Sequence, residues 1–390
     1  MGSRGHHHHT SMRASAYDVG TKLCIREHLP PQPFTGSYGP IPRPPVDWAR
    51  WEDFADWEVD RVAFALCNPP IETEPPGPRE RILTITGSKT LRDEGGAHIL
   101  TCFLDDDRSV EYVAKIYDGV YYPFVHVCRG PRSVDCMTWA DRDYSIKAWA
   151  YRTMQPVIGG TIVPRYFGSW TFALDAAPPG ASHSDAGQQR KRWVRMILIE
   201  RVQGECMFNM IERARIRNSD DIDYSLLPPE HFRLRVLRNI LEAEMAIWWE
   251  AAVRHEDLEP RNVMVKPDGS VVIIDFNQAY IYDFTDACNY HPRRIDPSLL
   301  PPSPIEEYWS VPGRFANSVE DDGPWGEWVP KSWLQNKDLA AEWLVDAYRD
   351  SPRFRKPSEW WLNRSVHQDK SPKILRLLES LGRKPVGAGE

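Results

Sequence analysis

The chain lacks the features that would tie it to a membrane, a nucleic acid or a disulfide framework. A bilayer span needs about 20 consecutive apolar residues. The longest candidates here, such as MAIWWEAAV, are short and broken by charge. Positive charge is not in excess: 48 Lys and Arg stand against 55 Asp and Glu. A basic footprint for nucleic acid or an anionic membrane surface is therefore missing. The 7 cysteines are odd in number, scattered and free of CxxC spacing. That argues against a disulfide scaffold and a zinc site, fits a reducing compartment, and leads us to expect a cytoplasmic protein. There is no internal repeat. MGSRGHHHHTS at the start reads as an expression tag, nothing after it reads as a secretory signal, and residues 1–12 are set aside as tag and linker.

What is present is ample apolar material. Of 390 residues, 42% are apolar, including 16 Trp, enough for one large domain or two to three small ones. Residues 13–80 read as an N-terminal extension. Its first part, LPPQPFTGSYGPIPRPPV, is Pro-rich and extended. Its second part carries Trp48, Trp51, Phe54 and Trp57 at three-residue spacing, a drifting aromatic stripe on a helix. The stripe either packs on a neighbouring surface or offers one to a protein partner. Strand-like runs follow in RILTITG, AHILTCFL and SVEYVAKIYD, then a helix over 138–155, then strands in TIVPRYFGSW and WVRMILIERV. Residues 171–192 between the last two are polar and pattern-free and read as a loop. HFRLRVLRNILEAEMAIWW places Leu234, Leu237, Leu241, Met245 and Trp248 on one helical face. The last 100 residues are rich in Pro and Trp, with helices near DLAAEWLVDAY and PKILRLLESLG.

The most informative stretch is RHEDLEPRNVMVKPDGSVVIIDFNQAY, residues 254–280. VMV and VVII read as buried strands, and PDG as the turn joining them. His255, Asp257 and Asn262 precede the first strand, and Asp275 follows the second. Carboxylates are costly to bury, so their place at the ends of a buried hairpin asks for a reason. Asp and Asn also serve as ordinary turn and cap residues.

HEDLEPRN followed by IIDF resembles the catalytic loop and metal-binding segment of the protein-kinase-like superfamily, which includes protein kinases and the aminoglycoside- and choline-type small-molecule kinases. The PRN spelling and LPPSPIEEYW resemble kinase-like proteins common in filamentous fungi. The resemblance is good over about residues 80–285. It implies an α+β, bilobal protein-kinase-like fold: a small antiparallel-sheet N-lobe with one helix over 81–202, and a larger, mainly α-helical C-lobe over 203–390 ending in a Trp/Pro-rich extension.

It also implies roles. Phosphoryl transfer requires ATP's charge to be neutralised and the acceptor hydroxyl aligned. Asp257 would orient the acceptor and take its proton, and His255 would tie the loop down. Asn262 and Asp275 would hold Mg²⁺, which takes hard oxygen ligands. Lys115, in VAKIYD, would touch the α- and β-phosphates. In ILIERV, Ile199 would back the adenine, and Glu200 and Val202 would offer it main-chain hydrogen bonds.

Four departures stand against the family pattern. The helix position that usually supplies a Glu for the phosphate-contacting Lys holds Lys147, leaving Asp143, one turn earlier, as the carboxylate to pair with Lys115. TGSKTLRDEGGAH replaces a G-x-G-x-x-G loop, and its Gly95 and Gly96 either approach phosphate or form a plain hairpin turn. Glu256 and Glu259 stand where many protein kinases carry Arg and Lys. DFN replaces DFG, and a convincing A-P-E element is missing. The expectation is an ATP- and Mg²⁺-dependent phosphotransferase acting on a hydroxyl, with a small molecule favoured over a protein. The alternative is a pseudokinase, a binding or scaffold protein whose partner surface would be the aromatic N-terminal helix or WGEWVPKSW at 325–333.

Overall fold

The computed structural model describes residues 16–44, 46, 61–73, 79–89, 96–123, 125–127, 133–175, 191–217, 219, 221–310, 325–336, 338–358, 362 and 372–382. The chain divides into two compact units. Unit 1 comprises Met1–Gly160, Pro164–Arg201 and Phe276–Thr285, and unit 2 comprises Thr161–Val163, Val202–Asp275 and Asp286–Glu390.

Unit 1 is built on six long strands: β1 (Lys22–Glu27), β2 (Glu80–Lys89), β3 (His98–Leu104), β4 (Asp107–Tyr117), then, after a short β5–β6 ribbon (Val125–Val127, Ser133–Asp135), β7 (Tyr166–Asp175) and β8 (Lys191–Glu200). They close into an antiparallel barrel in the order β1-β2-β3-β4-β8-β7. Side chains alternate across a strand, and each strand here puts its apolar set on one side. Leu23 and Ile25, Leu83 and Ile85, Leu100 and Cys102, Ala114 and Ile116, Trp170 and Phe172, and Met196 and Leu198 form one buried cluster.

The barrel corrects the expected bilobal fold of an open N-lobe sheet and a larger helical lobe. The reason lies in KLCIRE, within the supposed extension. Its period-2 pattern makes it β1, which pairs with β2 through Leu23↔Leu83 and with β7 through Arg26↔Thr171. An open sheet leaves a row of unpaired backbone groups at each edge, and β1 satisfies both edges at once. Two smaller expectations also change. TIVPRYFGSW is strand only from Tyr166, and within the loop expected over 171–192 strand continues to Asp175 and resumes at Lys191, while residues 176–190 lie outside the described residues.

Helix α1 (Arg61–Cys67) is short and buries Phe64 and Ala65. Helix α2 (Cys136–Ile158) starts where the Asp135 carboxylate accepts hydrogen bonds from the amides of Met137 and Thr138, the usual way to satisfy free donors at a helix start. It packs against β4, β7 and β8.

Unit 2 contains β9 (Glu205–Cys206), α3 (Met207–Ala214), the long α4 (Glu230–Ala251), β10 (Val253–Arg254), and the hairpin of β11 (Val263–Val265) and β12 (Val271–Ile273). Helices α5 (Pro292–Ile295), α6 (Pro304–Ser310), α7 (Lys331–Gln335), α8 (Asp338–Tyr348) and α9 (Pro372–Ser380) follow. Helix α4 buries Val236, Leu237, Ile240, Leu241, Met245 and Trp248 at three- to four-residue spacing. It ends on Ala252 in the left-handed region, whose amide reaches the carbonyl of Trp248. Trp325, Trp328 and Trp333 are buried, with the Trp328 indole donating to the carbonyl of Arg233 at 3.0 Å. WGEWVPKSW therefore supplies core and presents no aromatic surface. The stripe of Trp48, Trp51, Phe54 and Trp57 lies outside the described residues. Among the described residues no helix is long and apolar enough to cross a membrane.

Candidate functional site

In unit 2 the candidate residues gather at the open end of the β11–β12 hairpin. Val263↔Ile273 is its last strand pair on that side, and one further bond, from the Ile274 amide to the Asn262 carbonyl at 2.9 Å, extends the ladder. Asn262 and Asp275 thus leave the two strands side by side. The hairpin is held from three directions. Its PDG turn is closed by Gly269 at φ 85° and by Asn239 of α4, which donates to the Gly269 carbonyl at 2.8 Å. On the other side β9 pairs with β11. There Gly204 is required, because a Cβ would lie 2.8 Å from the carbonyl oxygen of Val265. From below, the Ile273 amide donates to Ile162 at 2.8 Å.

The loop between β10 and β11 is tied to this end by His255, which is fully buried. Its Nδ1 accepts the Asp257 amide at 3.3 Å, so Nε2 carries the proton and donates to the Ile274 carbonyl at 2.9 Å. Burial pushes the imidazole below its usual value, against the opposing pull of the Ile274 carbonyl and Asp275, and the ring is neutral at pH 7. One neutral side chain thereby links the residue before Asp275 to the backbone of Asp257. Pro260 opens a 3-10 turn over Pro260–Asn262, and the Asn262 amide closes it on Glu259 at 2.8 Å.

Asn262 is buried. Its Nδ2 donates to the Asp257 carbonyl at 2.7 Å and to the Asp257 Oδ2 at 3.3 Å. Because Nδ2 is committed, Oδ1 is the amide's outward acceptor. One amide oxygen and the carboxylate of Asp275 make a hard-oxygen pair. That set suits Mg²⁺, which binds through one or two protein oxygens and takes the rest from water and phosphate. It is too small for zinc or calcium. Among the described residues no group of three or more His, Cys, Asp and Glu converges to hold a metal.

The backbone carries a further mark. Glu256 at φ 59° and Asp275 at φ 68° are both in the left-handed region. Outside glycine this region is uncommon, and such residues cluster at functional sites. Sequence reasoning missed Arg261. Its NH2 donates to both Asp257 oxygens, at 3.0 and 3.2 Å, and its NH1 pairs with Glu259. The i, i+4 spacing from Asp257 was the available signal. Arg254, by contrast, is structural: it lies 4.2 Å over the ring of Trp248 and bonds Glu307 at 2.8 Å.

The remaining candidates lie in unit 1, except Val202, which opens the second stretch of unit 2. Lys115 is buried on β4. Its neighbours Ala114 and Ile116 face the barrel interior, so Lys115 shares the outer face with Tyr117. That face is covered by α2, where Tyr144 and the ammonium of Lys147 each lie 5.6 Å from the Tyr117 ring. Lys147 therefore sits on an aromatic face, a favourable place for a buried cation. The only carboxylates of α2 are Asp141 and Asp143. Asp141 is engaged by Arg43 and by the Ile71 amide. Asp143 accepts from the Tyr122 hydroxyl at 3.4 Å and Arg142 at 3.3 Å. The amide of Glu200 is committed to the Arg165 carbonyl at 2.9 Å. Gly96 has φ 135°, while Gly95 lies outside the described residues.

No protein-family model matches the chain, and no curated protein matches it.

Proposed function

We propose that the protein is an ATP- and Mg²⁺-dependent phosphotransferase acting on a hydroxyl acceptor, with a small molecule favoured over a protein and the cytoplasm as its compartment. The observation that carries this reading is the convergence of Asp257, Asn262 and Asp275 at one end of the hairpin, held by a neutral His255. Asp257 orients the acceptor hydroxyl and receives its proton as the oxygen forms a bond to the γ-phosphorus and the bond to the β–γ bridging oxygen breaks. Asn262 Oδ1 and the Asp275 carboxylate would hold Mg²⁺, which would supply charge neutralisation of the phosphates. Lys115 contacts the α- and β-phosphates with Asp143 as its carboxylate, and Glu200 and Val202 contact adenine through their main chain. Glu256 and Glu259, in place of Arg and Lys, favour the small-molecule acceptor.

A second reading, a nucleotide-binding protein with weak or no transfer, draws on the Arg261 fork across both oxygens of Asp257. The test is a thermal melt with ATP, with and without Mg²⁺, on wild type and Asp275→Ala. Ligand at 100 times its dissociation constant adds ~2.7 kcal/mol by mass action. The proposal expects a Mg²⁺-dependent shift that Asp275→Ala removes, and release of ADP when an acceptor is supplied. No shift in wild type would overturn both readings. A shift without ADP release over a panel of hydroxylated acceptors would favour the second.

A further inference from the structure

Within unit 2, Arg261 is bonded to Asp257 in a way that phosphoryl transfer does not use. The backbone at Arg261 is fixed. The Asn262 amide closes the 3-10 turn over Pro260–Asn262 on Glu259, and Sγ of Cys206 on β9 lies 3.7 and 3.5 Å from the carbonyls of Pro260 and Arg261. The Arg261 side chain, half exposed, turns back over the carboxylate four residues earlier. Its NH2 donates to Asp257 Oδ1 at 3.0 Å and to Oδ2 at 3.2 Å, and its NH1 is anchored on Glu259. From the buried side, Asn262 Nδ2 donates to the same Oδ2 at 3.3 Å. Both oxygens of Asp257 are therefore engaged in the protein alone.

The chemical consequence concerns the nucleophile. An attacking hydroxyl or water must hand its proton to an Asp257 oxygen, and the guanidinium stands on the solvent side of both. It has to swing aside first. The bonds it gives up are those of an exposed ion pair, so displacing it costs only a few-fold in occupancy. An acceptor molecule brings binding contacts of its own that offset this cost. A water molecule brings none. Yet water is abundant, and it is the nucleophile that a phosphotransferase must refuse if ATP is not to be hydrolysed.

We propose that Arg261 is a guard on Asp257: it occupies the base until an acceptor displaces it, and so suppresses the hydrolysis of ATP. In the suppressed reaction a water oxygen forms a bond to the γ-phosphorus and the bond to the β–γ bridging oxygen breaks. The proton of the water passes to Asp257, and ADP and inorganic phosphate leave. Glu259 belongs to the guard, because by holding NH1 it keeps NH2 aimed at Asp257. The inference rests on the reading of Asp257 as the base of an ATP-dependent transfer.

The test needs no acceptor. Phosphate release from ATP with Mg²⁺ is measured for wild type, Arg261→Met, Arg261→Lys and the double variant that joins Arg261→Met to Asp257→Asn. Each protein is first checked for the thermal shift with ATP and Mg²⁺. Arg261→Met is expected to release phosphate about fivefold faster than wild type, the span of an exposed ion pair. Arg261→Lys, which keeps the charge and gives up the fork, should lie between them. The double variant should fall to the wild-type rate or below, because the gain passes through Asp257. Raising the salt from about 0.1 to about 1 M screens the pair, so the gap between Arg261→Met and wild type should close. An arginine that only braced the loop would, on removal, slow hydrolysis or leave it unchanged. An intact ATP shift with an unchanged or slower rate in Arg261→Met overturns the guard and leaves the phosphotransferase reading standing. A gain that survives Asp257→Asn overturns it too. A wild type with no ATP shift removes the phosphotransferase reading and the guard together.

Discussion

In the barrel of unit 1, alternate side chains from six strands meet in one apolar interior, and the polar alternates face outward. In the hairpin of unit 2, two strands of three residues each are almost wholly buried, and every polar group stands past the strand ends. The barrel gains its stability from many long-range pairings. The hairpin is too short to be stable alone and is held by Asn239, Gly204 and Ile162. Long strands suit a container whose interior is its purpose. Short strands braced from outside suit a mount whose tip is its purpose. Substitutions in the barrel should therefore act on stability, and substitutions at the hairpin end on chemistry.

The largest effect expected is at the hairpin end. Asp257→Asn keeps the shape and one oxygen to accept from Arg261, loses the second acceptor shared by Arg261 and Asn262, and accepts no proton. Transfer measured as ADP release should fall ~10²–10⁴-fold, with the melting temperature within a degree or two of wild type. A matching loss of stability would show that the hairpin end is structural and would erase the contrast. Next comes the barrel. Ile25 is fully buried on the closing strand, and Ile25→Ala should cost about 3 kcal/mol in urea unfolding while leaving the Mg²⁺ requirement unchanged. Altered Mg²⁺ dependence in that variant would mean that the two regions are coupled.

The third effect is on pH dependence. Burial, reinforced by Arg195, lowers the His28 pKa to about 3. The unfolded chain binds this proton below its ordinary pKa near 6.5 while the folded chain does not, so His28 lowers stability as pH falls from 6.5 toward 3. Asp141 acts in the opposite sense: burial raises its pKa to about 6 despite Arg43, so it favours the folded state as pH falls through 6. The two partly cancel in wild type. His28→Gln should remove the first contribution, and the stability difference between the proteins should change by about 2 kcal/mol between pH 7 and pH 5. Equal slopes would show that His28 charges without unfolding. The smallest effect belongs to Arg261. Its side chain is half exposed, and exposed ion pairs contribute up to about 1 kcal/mol. Arg261→Met should change the acceptor KM by no more than about fivefold.

The same contrast explains what the sequence disclosed. The hairpin and its polar ends occupy 27 consecutive residues, and every bond that sets His255, Asp257 and Asn262 against one another falls inside that window. Local spacing was therefore enough to find them. The barrel was not legible in this way. KLCIRE is an unremarkable alternating hexapeptide in a Pro-rich neighbourhood, and nothing within it names partners at 80–84 and 170–171. The bonds from the Tyr38 hydroxyl to Ala279 and Ile281 were invisible for the same reason, since those partners lie more than 200 positions away. Lys147 was legible as a conflict with Lys115. Its answer, the ring of Tyr117, needed the packing of α2 on β4.

The closing strand also has a consequence for how the molecule is made. β1 leaves the ribosome ahead of its second partner, β7, which lies some 145 residues downstream. At roughly 5–20 residues per second, the nascent chain carries β1 for about seven to thirty seconds before the seam can form. Through that interval the sheet has two bare margins, a template for joining another copy. That exposure is met during synthesis, and a shortened version beginning after Glu27 would live with it permanently.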